Sequence, residues 1–126
     1  MTYEELAENV IKWANDKGIL DKSSALRQIS KTQEELDETR DALNRAFLLE
    51  AGTSLAEWDI PAEQDTGDEM VGIATEVKDG IGDMLVTIII LAEMAGFNHK
   101  DCLAHAFDEI KGRTGRMVDG LFVKDK

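Results

Sequence analysis

The chain has 126 residues, 43% of them apolar and 32% charged, with a formal net charge of −12. That length carries one hydrophobic core rather than two. The acidic balance weighs against a nucleic-acid partner, which needs a basic face, and suits either a well-solvated surface or the collection of cations.

The single proline and the scarcity of aromatic side chains argue against a turn-rich β fold. Cys102 stands alone, so no internal disulfide is possible and a reducing compartment is expected. The N-terminal stretch MTYEELAENV is acidic and polar and has no targeting character. The apolar run Met84 to Ala92 stops at Glu93. A membrane span needs roughly 20 residues, far more than that run supplies. A soluble cytoplasmic protein with no membrane partner is the expectation.

In chain order, residues 2–16 form an amphipathic helix, with Thr2 and Glu5 in capping-box register and Leu6, Val10 and Trp13 along one side. Asn15 to Gly18 ends it, and Leu20 to Ser24 is expected to be a loop. A second helix begins at Ser23 or Ser24 and runs to about Glu50, with Leu26, Ile29, Leu36, Leu43 and Phe47 at helical spacing and Ala51-Gly52 as its stop. Residues 52–67 read as an irregular connection with one short helical turn, pinned to the body by Trp58 and Ile60. A third helix spans Asp68 to Ala95 and ends at Gly96. Asn98 caps a fourth that runs to about Lys111, and a glycine-rich, basic tail, 112–126, follows. The expected fold is therefore all-α, a single domain built as a four-helix bundle-type protomer.

Two segments carry candidate chemistry. The first is KTQEELDETR, residues 31–40. Its Glu34, Glu35 and Glu38 fall within an arc of about 100° on the helix, beside the apolar stripe. The second is EVKDGIGDMLVTIIILAEMAG, residues 76–96. Its Glu76, Asp79 and Asp83 share a face of about 60°. Val77, Ile81, Leu85 and Ile88 line the other side. Beyond Met84 the helix is apolar all round, so burial of its later turns is expected. Two helices presenting carboxylates at one-turn spacing can enclose an oxygen-rich cleft suited to a hard divalent cation. His99 and His105 stand outside these segments and do not make the EXXH pattern of a di-iron bundle.

A chain with 26 acids offers on the order of five acid-x-x-acid pairs by chance, so EELDE by itself also fits a solvated helix face. The glycines favour the cleft. Gly80 and Gly82 each cost about 1 kcal/mol in a helix interior relative to alanine, which makes sense where another helix or a ligand must come close.

These motifs resemble the MazG-like all-α nucleoside triphosphate pyrophosphohydrolases, whose signature is an EExxE helix followed by a later E-E-x-x-D helix and an apolar run. Glu34 to Glu38 match the first element, and Gly82 to Gly96 match the second from its aspartate onward. The terminal stretch Ala106 to Gly120 looks like that of small phage-type and integron-type members, which implies a bacterial or phage-infected cell. The resemblance covers about 12–50 and 76–124, and the separation between the acid motifs is longer than the family usually shows.

Carried over, the resemblance implies Glu35, Glu38 and Asp83 as metal ligands and Glu34 as the adjoining acid, with Glu34 and Glu35 in the catalytic role. The family's fourth ligand, a glutamate, is Gly80 here. Asp79 is then the expected substitute and Glu76 the second choice. The implied cofactor is Mg²⁺, with Mn²⁺ as a substitute, and the implied reaction is cleavage of a (d)NTP, deoxy forms favoured, to the monophosphate and pyrophosphate. Lys111, Arg113 and Arg116 are expected at the phosphates and Trp13 at the base. A homodimer or dimer of dimers is expected, since a small protomer with an apolar helix should associate. Two other readings stay open: a non-catalytic acidic helical adaptor, and a relative that binds nucleotide or metal without turnover.

Overall fold

The computed structural model describes residues 1–48, 54–65 and 67–126. Helix α1 is Tyr3–Asp16, and the Glu5 N–H donates to Thr2 Oγ1 at 3.1 Å, so the expected N-cap is present. Gly18, in the left-handed region at φ 79°, starts the short helix α2, Ile19–Lys22. This corrects the expected loop at Leu20 to Ser24: Gly18 reverses the chain in one residue, and the next four close a helical turn.

Helix α3 is Ala25–Leu48. The expected stop at Ala51-Gly52 lies outside the described residues. The connection contains two 3₁₀ turns, Leu55–Trp58 and Ala62–Gln64, where one was expected. Leu55 and Trp58 do pack against the core. Helix α4 is Glu69–Met94, with Asp68 Oδ1 accepting from the Met70 N–H at 2.8 Å. It ends in a Schellman-type reversal. There Gly96 takes φ 81° and the Phe97 N–H donates to Ala92 O at 2.9 Å. Asn98 then caps α5, His99–Ile110, as its sequence position implies.

The glycine-rich, basic tail holds two short strands. Strands β1, Gly115–Val118, and β2, Leu121–Lys124, pair antiparallel with Met117 opposite Phe122 and Val118 opposite Leu121. The turn residues Asp119 and Gly120 have φ 50° and φ 81°. Both are positive, as a two-residue type I′ hairpin requires. The chain is thus mostly helical, consistent with the all-α expectation, but it carries this one small hairpin among the described residues.

The core lies between α3 and α4: Ala42 and Ala46 from the first, Met70, Ile73 and Val77 from the second. Ile73 is fully buried, which contributes about 1.5–3 kcal/mol. Small residues on α3 let the two helices approach closely, and α1 lies against α4, burying Ala7 and Ala14. The expected burial of the later α4 turns holds only on one side. Ile89 and Ile90 are buried, whereas Leu85 and Ile88 stay nearly half exposed because no described element of this chain covers their face. No single helix among the described residues is long and apolar enough to cross a membrane.

Candidate functional site

The α3–α4 contact runs antiparallel, because rising positions on one helix meet falling positions on the other. Gln28 Nε2 donates to Thr87 O at 3.1 Å, Thr32 Oγ1 donates to Thr87 Oγ1 at 2.9 Å, and Arg45 pairs with Glu76. Midway, Gly80 meets Thr39: a Cβ on Gly80 would stand 2.1 Å from Thr39 Oγ1 and 3.1 Å from its Cβ. The glycine at position 80 is therefore demanded by the neighbouring helix. Nothing lies within 4 Å of the corresponding point on Gly82, so the same reason does not extend to it.

That crossing determines where the acids point. At about 100° per residue, Glu35 and Glu38 lie about 40° and 100° to one side of Thr39. Glu76, Asp83 and Asp79 lie about 40°, 60° and 100° to the matching side of Gly80. In an antiparallel pair these sides coincide. Glu35, Glu38, Asp79 and Asp83 accordingly line one cleft of about 580 Å³, with Arg45 and Glu76 at one end.

Glu35 is only 9% exposed, and its carboxylate needs a partner at that depth. Lys31 Nζ supplies one, standing 3.4 Å from both Glu35 Oε1 and Glu34 Oε2. Burial opposes the Lys31 charge, but the two glutamates outweigh it and raise its pKa. The Glu38 carboxyl is pushed above the ordinary carboxylate range, first by the charge of Glu35, then by desolvation and by Glu34. Like charges are thus crowded in the cleft beyond what Lys31 neutralises. An oxygen-only donor set under unrelieved repulsion fits a hard divalent cation. No three His, Cys, Asp or Glu side chains among the described residues are already gathered closely enough to hold an ion.

Of the residues expected from sequence, Glu35, Glu38, Asp79 and Asp83 come together. Glu76 is engaged by Arg45, while Asp79 makes no ion pair among the described residues, so Asp79 is the freer acid beside Asp83. Glu34 does not line the cleft; it faces outward on Lys31. Trp13 lines an adjoining pocket of about 240 Å³ that also holds Gln28, Thr87 and Ile90 and shares Glu35 and Asp83 with the acidic cleft. Lys111, Arg113 and Arg116 line neither space, and Lys111 pairs with Asp108 at 2.9 Å.

Thr39, Arg45, Gln28 and Thr87 were not anticipated. A signal for the threonines and the glutamine was present: Gln28, Thr32, Glu35 and Thr39 recur at steps of four, three and four, and Thr87 continues the Asp79–Asp83 face by one turn. Arg45 carried no such signal, since its partner Glu76 is 31 residues away. No family model matches the chain, and no curated protein or solved structure matches it either.

Proposed function

We propose that the chain is a Mg²⁺-dependent nucleoside triphosphate pyrophosphohydrolase of the MazG-like kind, cleaving a (d)NTP to the monophosphate and pyrophosphate. The observation that carries this reading is the convergence of Glu35, Glu38, Asp79 and Asp83, from two helices, on one cleft beside a pocket edged by Trp13. The four carboxylates would hold the cation, and of them only Glu35 is in an ion pair among the described residues. When bound, Mg²⁺ supplies charge neutralisation for the triphosphate and makes water a better nucleophile at neutral pH.

The chain's own groups have separate tasks. Lys31 places its ammonium 3.4 Å from both the deeply set Glu35 and Glu34 beside it. The Thr39–Gly80 contact sets the distance between the two acidic helices. Trp13 offers an aromatic face for a base, with Gln28 and Thr87 on the same pocket wall as polar groups.

One observation favours a second reading, a non-catalytic acidic helical adaptor: among the described residues the carboxylates are not already gathered around an ion position. A single experiment separates the two. The protein is incubated with a panel of dNTPs with and without Mg²⁺, and pyrophosphate is measured, with Asp83→Asn as the control. Metal-dependent pyrophosphate release that is lost in Asp83→Asn is the expected result. No turnover of any nucleotide and no thermal shift with Mg²⁺ would refute the enzyme reading and leave the adaptor.

A further inference from the structure

Among the described residues that line the acidic cleft, Arg45 alone is a cation. It belongs to the last turn of α3, where a positive side chain also answers the helix dipole. Its Nη2 donates to Glu76 of α4, and its Nε stands 3.5 Å from Asp41 Oδ2. As a structural tie this is weak. The Arg45 and Glu76 side chains are 39% and 52% exposed, and an ion pair so open to water contributes little to stability. A guanidinium carries five N–H donors, and the bond to Glu76 uses one of them. The Nε is enclosed yet bonds no described residue.

The antiparallel register puts Arg45 at one end of a line. Trp13, Gln28 and Thr87 mark the other end, Glu35 and Asp83 border both spaces, and Glu38 and Asp79 lie between. Helical side chains lean toward the N-terminus of their helix, and the approach of Arg45 to Asp41, four residues back, follows that rule. The guanidinium therefore lies near the level of residue 41. At about 1.5 Å per residue that is about 9 Å along the α3 axis from Glu35 and about 4–5 Å from Glu38. A triphosphate can bridge such a span. The four carboxylates outnumber the charge of one divalent cation, so a polyanion needs a further positive group in the cleft. Lys111, Arg113 and Arg116 do not line it, and Lys31 borders the pocket on the Trp13 side.

We propose that Arg45, oriented by Glu76, binds the terminal end of a nucleoside triphosphate, turning its free donors to the β- and γ-phosphates. The inference rests on the pyrophosphohydrolase reading and gives it a direction: base toward Trp13, triphosphate along the carboxylates, γ-phosphate toward Arg45. Cleavage of the α–β anhydride by water then leaves the monophosphate at the Trp13 end and pyrophosphate at the Arg45 end. A guanidinium suits that end because its planar fork matches two phosphate oxygens and keeps its charge at any working pH.

The test is calorimetric binding of inorganic pyrophosphate with Mg²⁺ present, beside KM and kcat for the dNTP that the unaltered protein turns over fastest. Arg45→Gln should weaken pyrophosphate binding by about tenfold or more and change monophosphate binding by less than about twofold. Monophosphate binding is read from Trp13 fluorescence in a Trp58→Phe background. Arg45→Lys should recover part of the loss, and the dNTP KM should follow pyrophosphate affinity across the series. Arg45→Gln/Glu76→Gln keeps a neutral hydrogen-bonding pair between α3 and α4, so a merely structural role survives in it. It should nevertheless bind pyrophosphate as weakly as Arg45→Gln, and it decides the matter if the single variant fails to fold by circular dichroism. Pyrophosphate affinity retained in the folded double variant, an equal loss of monophosphate and pyrophosphate, or an active protein that binds no pyrophosphate would overturn the role of Arg45 and leave the enzyme reading standing. Neither turnover nor pyrophosphate binding in the unaltered protein would overturn the enzyme reading and this inference with it.

Discussion

Gly80→Ala should destabilise the protein, against the usual expectation for a glycine inside a helix. The added Cβ would stand 2.1 Å from Thr39 Oγ1 and 3.1 Å from Thr39 Cβ. Thr39 is only 5% exposed, and its hydroxyl donates to Glu35 O at 2.8 Å, so the side chain cannot simply turn away. Overpacking at such a contact costs about 1–3 kcal/mol, and the better helix propensity of alanine offsets about 1 kcal/mol of that. The net loss is up to about 2 kcal/mol, which lowers a urea midpoint by up to about 1 M at an m-value of about 2 kcal/mol/M. Gly82→Ala is the internal comparison, since nothing lies within 4 Å of its Cβ position. It should gain about 0.5–1 kcal/mol. Thr39→Ala combined with Gly80→Ala removes the clashing Oγ1 and should recover most of the loss. All variants are compared at one protein concentration, because any self-association shifts the midpoint. If Gly80→Ala stabilises as Gly82→Ala does, or if the double variant shows no recovery, the close crossing of α3 and α4 is wrong, and with it the shape of the cleft.

The cleft and the pocket beside it set further outcomes. The Glu38 carboxyl is raised in the folded state, so the folded chain binds that proton more tightly than the unfolded one, and this contribution to stability is lost as pH rises through and above the ordinary carboxylate range. Glu38→Gln should flatten that part of the Tm-versus-pH curve; an unchanged slope would contradict the like-charge crowding. Mg²⁺ competes with the same protons, so its thermal shift should be larger near pH 7.5 than near pH 5, reaching about 2.7 kcal/mol when free Mg²⁺ is about 100 Kd. Trp13, half exposed at the pocket edge, should change its fluorescence when a dNTP binds with Mg²⁺ in a Trp58→Phe background; no change would remove it from the binding site. Thr87→Val deletes a buried hydroxyl that bonds Thr32 and Met84 O. It should cost about 1 kcal/mol in the same urea assay.

Much of the helical plan is legible in the residues themselves. Thr2, Asp68 and Asn98 cap α1, α4 and α5 where their side chains predict, since capping is a local exchange between one side chain and N–H groups two or three residues on. The hairpin is equally local: Asp119-Gly120 between Met117-Val118 and Leu121-Phe122-Val123 is a two-residue turn signal, short beside the helical pattern that precedes it. The acids on α3 and α4 were legible as two one-sided groups. Their meeting was not, because it depends on the contact between Thr39 and Gly80, 41 positions apart in the chain.

The amino-acid order alone determined the four long helices, where most of them are capped, and which side of α3 and α4 is acidic, because these depend on neighbours within a turn or two. The tertiary structure decided which acids share a cleft and why position 80 must be glycine. It also placed Glu76 on Arg45 and Trp13 in the adjoining pocket, and left one side of the later α4 turns uncovered. Those outcomes depend on the angle and register at which two helices cross, which no local pattern encodes.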